Sequence, residues 1–194
     1  MRVLIACEFS GTVRRAFRER GHEAYSCDIL PTEDISRHHI IGDATKILDQ
    51  GWDLLIAHPP CTRLCNSGVR WLGPRDLWSE LDEAAALFSE FWNAPIPRIA
   101  IENPVMHRHA KARIHKYETF TQSIQPWQFG HGETKRTCLW LRNLPALTPT
   151  NIVDGREARV HRAPPRHDRW KERSRSYPGI ADAMADQWGD LDGR

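Results

Sequence analysis

The run Asp53-Leu54-Leu55-Ile56-Ala57-His58-Pro59-Pro60-Cys61-Thr62 is a short apolar stretch stopped by two prolines. Leu54–Ala57 carries no polar side chain, so it reads as a strand buried on both faces. Proline lacks the N–H that a ladder needs and restricts the residue before it, so the strand ends sharply. Cys61 therefore stands just past the carboxyl end of a buried strand. The same pattern recurs outward in both directions. Arg2–Cys7 is a strand that breaks at Ser10-Gly11. His22–Ile29 is a strand ending around Asp28, and His39–Ile41 runs into Gly42-Asp43. Arg98–Ile101 stops at Glu102-Asn103-Pro104.

Helical periodicity fills the gaps. Val13, Ala16 and Phe17 mark one face of Thr12–Arg20, with arginines on the other, and Gly21 closes it. Leu77, Leu81, Ala84, Phe88 and Phe91 mark one face of Asp76–Trp92. Gln122–Phe129 and Thr137–Leu141 read as two later strands, and Ile180–Trp188 as a terminal helix. Strands alternating with helices, with unusual residues at strand ends, predict an α/β fold: one domain built on a doubly wound, mostly parallel sheet. Ligands bind such sheets outside the carboxyl ends of the strands.

Composition narrows the class. The chain has 194 residues, 40% hydrophobic and 27% charged, as expected for one soluble globular domain. The longest apolar runs are strand-sized, so no membrane span is expected. Met1–Ile5 is too short for a signal-peptide core, which makes the cytoplasm the expected location. Five cysteines, an odd count, argue against a disulfide framework. Cys61 and Cys65 sit four apart, but no second pair at zinc spacing follows, so no metal site is expected. Between Arg156 and Arg175 eight basic residues face three acids. With Trp170 and Tyr177 nearby, that stretch reads either as a phosphate-backbone contact or as a solvated loop.

Phe9-Ser10-Gly11 brings a small residue and a glycine to the start of a helix, where free N–H groups can meet a ligand. An acid at the end of the second strand suits a ribose hydroxyl pair. Asp28 holds that place, and Asp43 could bond an adenine amine. Each also has a plain reading, as a turn or a helix cap. Cys61 reads as a nucleophile if its surroundings favour the thiolate, and otherwise as a small buried residue. A carboxyl at Glu102, enclosed beside Cys61, would have a raised pKa and could act as a proton donor.

Taken together these motifs resemble the DNA cytosine-5 methyltransferase family. Phe9-Ser10-Gly11 resembles its Phe-x-Gly motif, Asp28 its ribose acid, and Gly42-Asp43 its adenine motif. Pro59-Pro60-Cys61 resembles the Pro-Cys nucleophile motif and Glu102-Asn103-Pro104 the Glu-Asn-Val motif. Gly130–Leu141 resembles the strand that contacts the target base, and the order holds across residues 1–141. The final helix from Gly179 resembles the motif that returns to the cofactor. More closely, the chain is similar to short phage- and prophage-encoded proteins of this type, in a bacterial cytoplasm.

The resemblance implies a Rossmann-like fold and S-adenosylmethionine (AdoMet) as cofactor. Residues 1–144 would form the catalytic part, 145–178 a basic substrate-contacting segment, and 179–194 the returning helix. Phe9, Ser10, Gly11, Thr12, Val13, Asp28, Ile29, Asp43, Ala44 and Pro59 would hold the cofactor. Pro60, Thr62, Lys135, Arg136, Thr137, Arg166, Arg169 and Arg173 would hold the substrate. Cys61 would add to C6 of a cytosine, Glu102 would protonate N3, and Asn103 would support the loop. A paired base would have to be flipped out.

The chain also departs from the pattern. Cys7 and Arg14 stand where the family has an Asp and a glycine. Lys135 and Thr137 replace arginines, with Arg136 one position away; on a strand one position means the opposite face. Only roughly 35 residues separate Leu141 from the last helix, too few for a sequence-reading module. Three readings stay open. One is a DNA methyltransferase, with weak specificity or a protein partner that supplies it. The second is an enzyme modifying C5 in a free cytosine nucleotide or RNA, or moving a group other than methyl. The third is a non-catalytic module that binds AdoMet or nucleic acid.

Overall fold

The computed structural model describes residues 1–164, 167 and 169–191. The strands are β1 (Arg2–Ala6), β2 (Glu23–Asp28), β3 (His39–Ile41), β4 (Leu54–Ala57), β5 (Arg98–Asn103), β6 (Gln122–Ile124) and β7 (Thr137–Arg142). They form one sheet in the order β3-β2-β1-β4-β5-β7-β6. Pairs among β1 to β5 are parallel, while β7 runs antiparallel to both β5 and β6. The expected doubly wound, mostly parallel sheet is what the chain forms.

Strand alternation feeds two cores. Val3 and Ile5 of β1, Leu54 and Ile56 of β4, and Leu139 of β7 pack on α1 (Thr12–Glu19) and the last helix. Leu4, Ala6, Leu55, Ala57, Ile99 and Ile101 face the other way, onto Leu81, Ala85, Phe88 and Phe91 of α2 (Trp78–Trp92). Four short or terminal helices complete the chain: α3 (Arg108–Lys111), α4 (Arg159–Arg162), α5 (Arg169–Ser174) and α6 (Pro178–Gly189). α6 returns to pack beside α1, with Trp188 fully buried.

Local differences from the expectations have simple causes. α2 starts at Trp78 because Asp76 takes a left-handed backbone (φ 48°) that a helix cannot contain. The strand expected over Gln122–Phe129 ends at Ile124, because Pro126 opens a 3₁₀ turn. The arginine face of α1 is not wholly solvated. Arg14 is 1% exposed, bonding Ser26 Oγ at 2.7 Å and both carboxylate oxygens of Asp34 at 2.5 Å.

Candidate active site

The carboxyl ends of β1, β2, β4 and β5 open on one side of the sheet. Their neighbouring registers, Ala6 with Ala57 and Ala57 with Ile101, bring the residues that follow them together. Cys61 is half-buried there, close enough to Glu102 and Lys135 to feel both charges. Asn103 is 1% exposed and donates from Nδ2 to the carbonyl of Pro59 at 2.9 Å. That bond ties the end of β5 to the diproline and fixes where Cys61 stands.

Glu102 is held on several sides. His58 Nδ1 lies 3.2 Å from its Oε2, and the Thr137 hydroxyl and the Lys135 ammonium are near enough to act on it. Burial pushes the carboxyl up, but His58, Lys135 and Thr137 outweigh burial and leave it below the usual carboxylate range. The elevation expected from enclosure alone is thus reversed, because enclosure brings cationic and donor groups with it. His58, which carries no motif signal of its own in the sequence, directly precedes the diproline. Its Nε2 is buried without a partner among the described residues.

Just ahead of β7, Lys135 is half-buried with its Nζ donating to the Arg175 carbonyl at 3.4 Å, while Arg136 is exposed with its Nε donating to Ser123 Oγ at 3.1 Å. Thr137 is 5% exposed and faces Glu102. Pro60 and Thr62 are exposed at the rim.

The neighbouring Cys65 thiol, burial and the nearby Glu102 all push the Cys61 thiol up. Cys65 Sγ itself lies 3.0 Å from Ser67 Oγ.

The cofactor side divides in two. At one end Asp28 is half-buried, its Oδ1 accepting the Leu30 N–H at 3.0 Å. Burial raises its carboxyl. Ile29 beside it and Ile41, its register partner on β3, are 77% and 65% exposed. Two bare isoleucines flanking a carboxylate suit a flat heterocycle joined to a vicinal diol. Asp43 is less available than expected, because Oδ1 caps the following turn through Thr45 N and Oγ1. Ala44 is buried in the core.

At the other end the expected free N–H groups of α1 are taken. Glu8, 4% exposed, accepts from Val13 N at 2.6 Å and Arg14 N at 3.2 Å. Ser10 Oγ lies 3.4 Å from Glu8 and 3.2 Å from Thr12 Oγ1. Gly11 (φ 67°) is needed for its own reason: a Cβ there would meet Arg14 Nη2 at 2.3 Å.

The basic segment covers this end. Trp170 of α5 packs on Phe9 with ring centroids 5.8 Å apart. Arg175 pairs with Glu33 at 2.5 Å, Arg159 with Glu133 at 2.9 Å, and Tyr177 Oη donates to Glu133 at 2.8 Å. Ser174 and Ser176 close over Cys7, Glu8, Phe9, Ser10 and His58, around about 180 Å³ of space. That is below the roughly 300 Å³ of a small-ligand pocket. Of the arginines expected to meet substrate, Arg169 bonds the Ala163 carbonyl at 2.7 Å, Arg173 is half-buried, and Arg166 lies outside the described residues. No group of three or more His, Cys, Asp or Glu among the described residues could hold a metal ion, and no helix there is long and apolar enough to cross a membrane.

No protein-family model and no curated protein sequence matches the chain. Solved structures do. A protein assigned as a DNA modification methyltransferase, encoded within a prophage of E. coli, overlays with a TM-score of 0.52 at 14% identity, covering 79% of this chain and 52% of that one. The methyltransferase EhMeth of Entamoeba histolytica gives 0.49 at 13%, covering 81% and 57%. The Dnmt2 methyltransferase of S. pombe gives 0.48 at 14%, covering 75% and 51%. The chain thus spans about half the length of these structures. The first likeness shows the fold alone: the same Rossmann-like, mostly parallel sheet.

Proposed function

We propose that this chain transfers a one-carbon group from AdoMet to C5 of a cytosine, with Cys61 as nucleophile and Glu102 binding the base. The observation that carries this reading is the meeting of Cys61, Glu102 and Lys135 at adjacent strand ends, locked by the bond from Asn103 to Pro59. AdoMet, when bound, supplies an electrophilic methyl group. Asp28 would hold its ribose, and Ile29 and Ile41 its adenine.

Cys61, its thiol proton released to water, forms the Sγ–C6 bond as the C5=C6 π pair moves onto C5. Glu102, held as a carboxylate, accepts from the N4 amino group and from N3 once N3 has taken a proton from water. Lys135 balances the charge that gathers between Cys61 and Glu102. After transfer, loss of the C5 proton and of Cys61 restores the ring.

DNA is the favoured substrate on the resemblance, with the base extruded or unpaired. A free cytosine nucleotide is the second reading. The basic segment spends Arg159 and Arg175 on intrachain ion pairs and lies over its own crevice, which leaves little of it for base readout.

The test uses tritiated-methyl AdoMet with DNA, RNA or dCMP, for wild type and Cys61→Ala. Label in DNA that Cys61→Ala abolishes supports the first reading; label only in dCMP supports the second. No label in any substrate, with AdoMet still bound tightly, overturns both and leaves a binding module.

A further inference from the structure

Loss of the C5 proton needs an acceptor, and one buried imidazole at the site has an idle nitrogen. His58 is fixed at both ends. Its backbone N–H donates to the Ala6 carbonyl at the end of β1 at 3.0 Å, and its ring Nδ1 lies 3.2 Å from Glu102 Oε2 on β5. The side chain is 7% exposed, and Nε2 is buried with no hydrogen-bond partner among the described residues.

Its neighbours decide which nitrogen carries the proton. A carboxylate only accepts, so Nδ1 donates to Glu102 and holds the hydrogen of the neutral ring. Nε2 meets no acceptor. The Glu8 carboxyl, which borders the same enclosed space, is engaged by Val13 N at 2.6 Å, Arg14 N at 3.2 Å and Ser10 Oγ at 3.4 Å. Buried N–H groups seldom go without an acceptor, so Nε2 presents its lone pair.

The position suits a base. Glu102 takes the N3–N4 edge of the cytosine in the reading above, and C5 adjoins the carbon that bears N4. His58 bonds Glu102 and also borders the space beside Phe9 and Ser10, on the cofactor side. Of the described residues around that space, His58 alone carries an imidazole. The other polar groups are committed: Asn103 Nδ2 bonds the Pro59 carbonyl, and Lys135 Nζ donates to the Arg175 carbonyl.

We propose that His58 is the base that removes the C5 proton, a role that rests on the C5-transfer reading. After transfer, C5 carries both the new group and its hydrogen, and C6 carries Cys61. The proton passes to His58 Nε2, the C5–H bonding pair re-forms C5=C6, and the C6–S pair departs on Cys61 Sγ. The imidazolium that results is stabilised by the Glu102 carboxylate at Nδ1, as a carboxylate opposite the acting nitrogen stabilises a histidine base. Nε2 then returns its proton to water.

The test uses DNA, RNA and dCMP tritiated at C5, with AdoMet carrying carbon-14 in its methyl group. Tritium released to water reports elimination, and carbon-14 retained on denatured protein reports the methylated adduct. Wild type releases tritium and retains little carbon-14. His58→Gln should accumulate the adduct, with tritium release per adduct lowered about 100-fold. His58→Gly serves as the second variant, and added imidazole should restore its release. A His58 that only positions Glu102 slows adduct formation instead. Release that falls in step with a smaller amount of adduct, and that imidazole does not restore, therefore overturns the base and leaves the C5-transfer reading standing. If wild type neither releases tritium nor transfers carbon-14 with any of the three substrates, the C5-transfer reading falls and takes this base with it.

Discussion

His58 Nδ1 holds Glu102 Oε2 at 3.2 Å, and the other nitrogen of the same ring is buried without a partner among the described residues. The residue before the diproline thus positions the residue that ends the next strand. His58→Asn should release Glu102 and let burial raise its carboxyl. The sign follows from linkage. A depressed carboxyl contributes stability above its ordinary value near 4.5, lost as pH falls. Stability of wild type against urea should therefore hold from pH 7 to about pH 5 and fall below about pH 4.5, and His58→Asn should flatten that acid slope and cost about 1–3 kcal/mol at pH 7. An unchanged slope would mean that His58 does not control Glu102.

Asp34 neutralises the buried Arg14 and also pairs with Arg15 at 2.9 Å. Burial raises its carboxyl, but Arg14, Thr32 and Arg15 hold it well below the usual range. Asp34→Asn would leave the Arg14 guanidinium buried and unpaired. We expect a loss of about 2 kcal/mol or more at pH 7, discounted because Asp34 is partly exposed. The penalty should shrink below about pH 4, where wild-type Asp34 in the unfolded chain is already protonated. Denaturant midpoints at the two pH values check both statements.

The cover over Phe9 makes ligand entry conditional. The space left under the cover beside Cys7, Glu8, Phe9 and Ser10 is small for the part of a nucleoside cofactor that would lie there, so we expect the cover to shift when one binds. Trp170→Ala combined with Arg175→Ala removes both anchors and raises the open fraction. Apparent affinity for S-adenosylhomocysteine should then tighten severalfold, because an unfavourable opening step has been removed. Calorimetric titration reads this directly, and weaker binding would show that the cover is part of the site.

The arginines of the basic segment should divide into two groups. Arg159 and Arg175 hold acids of this chain, so their loss should lower stability more than DNA affinity. Neutralising Arg162 and Arg173 should instead weaken DNA binding and reduce its salt dependence, by about 0.9 in log–log slope for each phosphate left without its cation. Binding at several salt concentrations separates the groups. A slope identical to wild type in Arg162→Ala with Arg173→Ala would leave the segment as a cover alone.

Local sequence pattern was enough to specify the sheet, its layers and the strand ends that matter. Leu54–Ala57, Ile99–Ile101 and the α2 periodicity are such patterns, and burial on both faces leaves a strand no other place than the middle of a parallel sheet. Cys61, Glu102, Asn103 and Asp28 were legible because prolines and polar residues interrupt apolar runs at those points. The partnerships that set their chemistry were not legible, since they join residues far apart in the chain. Glu102 is a carboxylate because of His58, Lys135 and Thr137. Arg14 is buried because Asp34 reaches it across the β2–β3 loop. The basic segment read as a phosphate-backbone contact or a solvated loop, and only the stacking of Trp170 on Phe9 and the Arg175–Glu33 pair made it a cover. Apolar periodicity encodes where a residue sits. Its ionisation depends on which charges and dipoles share its enclosure, and tertiary packing alone decides that.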